Sequence, residues 1–287
     1  MSGGQARLLV LAAALLFSTG GAGIKVEAFD AAEVSALRSG IAAAALAVWL
    51  RGRIRWSWPI LAAGVVYAVM LSLFVASTKL TTAANAIFLQ STAPLYLLVL
   101  APLFLKERFR SRDLVFVAAL GLGMICCFAG ETRTAATAPD PATGNLLGAA
   151  SGLVWALTLL VLRGIGRGDT AGSASISVVV MGNVLACLVA LPVAWPLPAA
   201  SAGEWATLVY LGVFQIGLAY VCLSRAVGRL PALETSLLLL LEPVLNPLWT
   251  WLIRGEAPGA WTLAGGAIII GATAVRVTVE ARREGAP

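Results

Sequence analysis

Apolar residues run through this chain in stretches of about twenty, interrupted by short segments that carry charge, glycine or proline. The stretches cover residues 6–24, 31–50, 59–78, 83–105 and 114–130, then 144–162, 174–195, 205–223, 231–253 and 261–279. A helix needs about 20 residues to cross the hydrocarbon core of a bilayer, so each stretch is long enough to span with some tilt. None shows the strict alternation of a barrel strand, and lipid leaves backbone groups no partner outside a helix or a closed barrel. The pattern therefore predicts an all-α integral membrane protein of ten transmembrane helices. Arg7 ahead of the first run gives it the look of a signal peptide, but nine more spans follow, and it is read as a retained first helix.

Composition excludes the alternatives. Hydrophobic residues make up 60% and charged residues only 12%, with a mean hydropathy of +0.91, against about 25% charge in a soluble domain. Ten helices of ~20 residues leave only loops and tails, so no sizeable soluble domain fits. No Gly-x-x-x-x-Gly-Lys sequence is present, so the chain does not hydrolyse nucleotide by that route. Histidine is absent, Cys126, Cys127, Cys187 and Cys222 all lie in apolar runs, and Asp30, Asp113, Asp140 and Asp169 all lie in predicted loops. Neither a zinc site, a disulfide framework, a serine–histidine pair nor an intramembrane aspartyl pair is supported. No enzyme and no cofactor is expected.

The few charges orient the chain. One set of alternate connections holds Arg7; Arg51, Arg53 and Arg55; Lys106, Arg108, Arg110 and Arg112; Arg163 and Arg167; Arg225 and Arg229; and Arg276, Arg282 and Arg283, which is 15 of the 20 basic residues. The other set holds Lys25, Lys79, Arg133 and Arg254, and Arg38 falls inside the second span. Basic loops stay in the cytoplasm, so both termini are placed there. The net charge of +6 then reports topology rather than nucleic-acid binding, and the basic residues read as solvated anchors. Trp49, Trp56, Trp58, Trp195, Trp205, Trp249, Trp251 and Trp261 fall near predicted ends, where indoles prefer the headgroup level. Trp155 alone sits near the middle of a span, one helical turn before Thr158.

The two halves repeat each other. Phe17 precedes Lys25 by eight residues and Trp155 precedes Arg163 by eight; Pro94 precedes Glu107 by thirteen and Pro243 precedes Glu256 by thirteen; Leu114 and Leu263 follow in the same register. A unit with an odd number of spans re-enters the membrane in the opposite sense, so residues 1–137 and 138–287 are expected to form two inverted five-helix repeats. Inverted repeats serve secondary transporters, in which two near-equivalent packings open one site to either side.

Phe17, Ser18 and Thr19 at the end of the first span, Arg38 in the second, the Leu241–Glu242–Pro243 sequence, and the closing Glu107 and Glu256 together resemble the ten-helix EamA-type members of the drug/metabolite transporter superfamily. The resemblance covers the whole chain. Within the superfamily, the chain is most similar to bacterial inner-membrane exporters of aromatic amino acids, which implies export of such metabolites. Two departures stand out: Phe17 replaces the tryptophan common in the family, and Ala93 precedes Pro94 where the second half has Glu242.

Polar groups at membrane depth supply the candidate site, because they are costly there and are retained for function or for helix packing. Glu242 is the only mid-span carboxylate, a candidate for a substrate ammonium or a coupling proton; its alternative role is hydrogen bonding within the bundle. Asn85, Gln90, Ser91 and Tyr96 interrupt the fourth span, and Tyr67, Trp155, Thr158, Gln215, Tyr220 and Ser236 complete a proposed substrate-binding set. Taken singly, each of these side chains better suits hydrogen bonding between neighbouring helices, and only the cluster points to a site. Arg38 lies about two turns from the end of its span, close enough to snorkel, and reads as an anchor in preference to a carboxylate partner. Pro94 and Pro243 are candidate hinges, with static bends as the alternative. Gly20, Gly21 and Gly23, and Gly148 with Gly152, suit close helix packing.

The expectation is a monomeric inner-membrane secondary transporter that contacts lipid and a small-molecule substrate, exporting an amino acid, aromatic by preference, through alternating access. A drug or organic-cation transporter of the same superfamily is the first alternative, and a non-transporting sensor or subunit the weaker one.

Overall fold

The computed structural model describes residues 1–26, 29–107, 111–129, 138–169, 171–197, 199–254 and 260–284. Glu256 therefore lies outside the described residues, as do Arg108, Arg110 and Arg133. Among the described residues the regular structure is helical. It comprises α1 (Gly3–Phe17), α2 (Gly20–Val26), α3 (Ala31–Trp49), α4 (Trp58–Leu80), α5 (Ala83–Gln90), α6 (Ala93–Leu105), α7 (Ser111–Ala129), α8 (Pro141–Gly166), α9 (Ser173–Ala194), α10 (Ala202–Tyr210), a π-helical segment (Leu211–Leu218), α11 (Ala219–Val227), α12 (Ala232–Leu239), α13 (Leu241–Arg254) and α14 (Ala260–Glu284). Each apolar stretch predicted from the sequence is occupied by one helix or by consecutive helices. Ala31–Trp49, Trp58–Leu80, Asn85–Leu105, Pro141–Gly166, Ser173–Ala194 and Ala202–Val227 are long and apolar enough to cross a membrane. Shorter apolar helices accompany them at Gly3–Phe17, Leu114–Cys126 and Leu263–Val275.

Local chemistry sets several starts. Ser2 with Gln5, Asp30 with Glu33, and Ser201 with Glu204 form capping boxes that satisfy free amides at the first turns of α1, α3 and α10. Asp140 caps α8 with Pro141 just inside it, where a missing N–H costs nothing.

Breaks within the predicted spans matter more for function. The first span is broken rather than continuous: Ser18 and Thr19 turn their hydroxyls back onto the carbonyls of Leu15 and Leu16 at 2.6 and 2.8 Å, and α1 ends there. The fourth is broken between α5 and α6, where Ser91 and Thr92 bond the Ile87 and Leu89 carbonyls and Pro94 follows. The ninth is broken at Leu240, just ahead of Pro243. In the eighth, α10 and α11 are joined by the π-helical segment, a feature that hydropathy does not reveal.

The main packing pairs are α3 with α9, α4 with α8 and α9, α1 with α11, α3 with the π-helical segment, and α7 with α14. Close approach relies on glycine at some of these crossings. A Cβ on Gly152 would lie 2.6 Å from the Leu89 carbonyl oxygen, and one on Gly182 would lie 2.7 Å from the Gly64 carbonyl oxygen and collide with the Tyr67 ring. The largest core cluster runs from Val10 and Phe17 through Tyr67 and Leu97 to Trp155, Leu159, Tyr220 and Leu238.

Several basic residues depart from the solvated-anchor expectation. Arg51, Arg53 and Arg55 are exposed, but Arg7 is buried and its Nε donates to Glu234 Oε1 at 2.8 Å. Arg163 donates through Nε to Glu107 at 2.9 Å and through Nη1 to the Gly228 carbonyl. Burial of the neighbouring carboxylates explains the difference: an isolated buried charge costs several kcal/mol, and pairing offsets it. Trp56, Trp58, Trp195 and Trp261 are exposed near helix ends as expected. Trp249 instead turns inward and donates its indole N–H to Ser18 Oγ at 2.8 Å, at the break after α1.

Candidate functional site

The breaks converge on a small cavity. Phe17 closes α1, Gln90 closes α5, Glu242 opens α13, and Gln215 and Ile216 project from the π-helical segment; all line a void of about 30 Å³ together with Arg38, Met70, Leu71, Phe74, Trp155 and Tyr220. A second void of about 10 Å³ shares Gln90, Trp155 and Glu242, and adds Ser91, Ala93, Pro94 and Ser236. Helix interruptions expose backbone and re-aim side chains at such a place, the arrangement by which transporters build sites inside a bilayer.

Aromatic rings form the site's main wall. Phe17 meets Tyr220 at 5.0 Å and Trp155 at 6.4 Å between centroids, Trp155 meets Tyr220 at 6.3 Å, and Tyr67 meets Tyr220 at 5.0 Å. All four contacts are edge-to-face, the preferred geometry for rings with a negative face and a positive rim. Tyr67 does not line the void; it supports Tyr220 from behind while its hydroxyl accepts from Asn183 Nδ2 at 3.3 Å.

Polar groups close the rest. Gln90 Nε2 donates to Ser151 Oγ at 2.7 Å, which fixes its amide. Gln215 Oε1 is buried and accepts no hydrogen bond from the described residues, and any side chain at Gly20 would collide with the Gln215 amide. Arg38 is 1% exposed, and its Nε and Nη1 bond nothing among the described residues. The snorkelling reading of Arg38 is thereby corrected: packing of α3 against α9 and the π-helical segment turns its side chain into the cavity rather than toward an interface.

The sequence-selected residues thus divide. Gln90, Trp155, Gln215, Tyr220 and Glu242 line the main void, and Ser91, Pro94 and Ser236 the smaller one. Asn85 lies apart, at the start of α5, where it donates to Thr81 Oγ1 at 3.4 Å beside the Thr81–Asn145 bond. Tyr96 packs against the core, and the Thr158 hydroxyl bonds the Val154 carbonyl within α8; neither lines either of these two voids. Pro243 follows Glu242 in the first turn of α13. Phe17 and Arg38 carried a signal as motif residues, whereas Met70, Leu71, Phe74 and Ile216 carried none, being apolar residues in apolar runs.

This architecture of broken helices around an aromatic and polar cavity is that of a membrane transporter, and comparison with known proteins defines its kind. The sequence profile of the EamA-like transporter family matches residues 5–129 and again residues 142–278, so the chain belongs to that family, within the drug/metabolite transporter superfamily. The chain is a multi-pass membrane transporter, not an enzyme. It is 28% identical over 215 residues to the pseudopaline exporter CntI of Pseudomonas aeruginosa strain UCBPP-PA14, covering 74% of this chain and 72% of that protein. The counterpart from strain PAO1 matches to the same extent. A solved protein crystal structure superimposes with a TM-score of 0.79 over 98% of this chain and 99% of its own, at 21% identity, which shows a shared fold.

Proposed function

We propose that the protein is a secondary exporter of the bacterial inner membrane that moves an amino acid, aromatic by preference, or a closely related small metabolite, by alternating access around the cavity. The observation that carries this reading is the composition of the cavity wall. Phe17, Arg38 and Gln90 come from the first half and Trp155, Gln215, Tyr220 and Glu242 from the second, so aromatic faces, neutral dipoles, a guanidinium and a carboxyl group surround one space. A zwitterion with a planar side chain fits that chemistry.

Ten crossings with both termini in the cytoplasm follow from the loop charges, and residues 1–137 and 138–287 form the two inverted repeats. Several packing pairs support the repeat reading, because exchanging the halves converts one into another. By that exchange α4 with α8 corresponds to α1 with α11, and α4 with α9 to α3 with the π-helical segment, while α3 with α9 and α7 with α14 map onto themselves. The matched residues Phe17 and Trp155 also face each other, and Ala93 lines the same small void as its counterpart Glu242. Export as the direction draws support from the two pseudopaline exporters.

Counterflow in liposomes tests the substrate class. The purified chain, offered amino acids, nucleosides, sugars and organic cations, is expected to exchange aromatic amino acids best. Exchange confined to organic cations overturns the reading in favour of the drug-transporter alternative. A second reading, export of a pseudopaline-like metabolite, rests on the relatives' names and predicts counterflow with pseudopaline but none with free aromatic amino acids.

A further inference from the structure

Two formally charged side chains, Arg38 and Glu242, line the main cavity, and they do not pair with each other among the described residues. They arrive on α3 and α13, which have no substantial packing against one another. Arg38 is among the largest fully buried side chains of the molecule, and two of its nitrogens are without a hydrogen-bond partner. A buried guanidinium without a counter-charge is strongly disfavoured and persists where function needs it. The same helix offers no local partner, since Glu33 is engaged with the backbone of Asp30 at the opening turn of α3.

We infer that Arg38 is the residue that recognises a carboxylate on the transported substrate, with Glu242 in the same cavity left for a cationic group. The inference deepens the proposed function and rests on its placement of substrate in this cavity. Guanidinium is suited to the task because its planar donors match a carboxylate, remain charged at any relevant pH, and are weakly hydrated for a cation. The other polar wall groups do not duplicate it. Gln90 is already committed to Ser151, and Gln215 presents an unbonded carbonyl oxygen, an acceptor suited to an ammonium rather than to an anion. A substrate carboxylate supplies the missing counter-charge.

The test uses the purified full chain in detergent and four probes: phenylalanine, phenylalanine methyl ester, 3-phenylpropionate and phenethylamine. Binding is read from ligand-dependent thermal stabilisation. The wild type is expected to bind phenylalanine at least about tenfold more tightly than the ester, the scale of one charged hydrogen bond, and Arg38→Gln to bring that ratio close to one while changing ester binding little. Arg38→Lys keeps the charge but loses the fork, and is expected to fall between the two. If Arg38→Gln does not fold, the wild-type ratio and Arg38→Lys carry the test. Equal binding of phenylalanine and its ester by the wild type overturns the carboxylate role while leaving amino-acid transport intact. Arg38-dependent binding of 3-phenylpropionate without binding of phenylalanine overturns the amino-acid reading and supports the carboxylate role. Binding of neither carboxylate overturns it.

Discussion

Phe17 and Trp155 occupy matched places eight residues before a basic residue, and their rings meet edge to face at 6.4 Å in the cavity wall. Trp155 was legible from sequence because an indole at mid-span needs a reason, and so were Gln90, Gln215 and Glu242 because polar groups are rare at that depth. Arg38 was misread because its distance from the end of the span permits two directions, and tertiary packing, not local sequence, chooses between them. Asn85 and Thr158 show the opposite failure: local bonds to Thr81 and to the Val154 carbonyl absorb their polarity. Truncating Trp155 to Ala removes its contacts to Phe17 and Tyr220, each worth about 0.5–1.5 kcal/mol beyond area, and takes away a face for a planar ligand. Transport of aromatic amino acids is therefore expected to fall several-fold more than that of alanine, measured as kcat/KM in liposomes; equal losses remove Trp155 from the site. Glu242 is the carboxylate of the wall, so Glu242→Gln is expected to abolish any dependence of flux on a proton gradient. Retained dependence rules out a coupling role.

At the scale of elements, hydropathy located the helical stretches and proline located two of the breaks, Pro94 and Pro243, because a missing N–H is visible in sequence. Breaks made by hydroxyls are not visible in that way, since Ser and Thr also sit comfortably inside membrane helices. Ser18 and Thr19 end α1 only in company with Trp249 and Tyr210, which bond them from elsewhere at 2.8 and 3.2 Å. The π-helical segment leaves no compositional trace, yet it projects Gln215 and Ile216 into the cavity. Close packing of α8 against the α5–α6 break holds Gln90 in place, and Gly152 permits it. A methyl group there would meet the Leu89 carbonyl oxygen at 2.6 Å, backbone that cannot rotate aside. Gly152→Ala is expected to lower stability by about 1–3 kcal/mol and to depress transport with it. Gly121→Ala, on α7 with open space around it, is expected to leave stability unchanged or raise it slightly through helix propensity. Comparing melting temperatures of the two variants checks the argument; equal shifts refute it.

Across the whole molecule the cavity volume has a mechanical consequence. About 30 Å³ accommodates water but not an amino acid, so admitting a substrate requires the walls of the cavity to part. One layer of contacts opposes parting. Glu107, from the first half, accepts from Arg163 Nε, Arg167 Nη2 and the Ala232 amide of the second, each at 2.9 Å, while Arg7 is held by Glu234 at 2.8 Å. Loop charge assigns all these groups to the cytoplasmic side, so in the proposed export cycle this layer stands between the cavity and the compartment that the substrate leaves. Glu107→Gln removes the charge and leaves one acceptor oxygen for three donors. Hydrogen bonds to a charged group contribute about 1.5–3 kcal/mol each, so loss of one shifts the balance toward a cytoplasm-open state by roughly ten- to a hundredfold. A cysteine placed at Ser236, 2% exposed in the smaller void, reports that opening. In a background without the four native cysteines, Glu107→Gln is expected to speed labelling of Ser236→Cys by an impermeant thiol reagent added from the cytoplasmic face, and to leave labelling from the outer face unchanged or slower. Unchanged labelling from both faces shows that the layer is structural cement and that the halves part elsewhere.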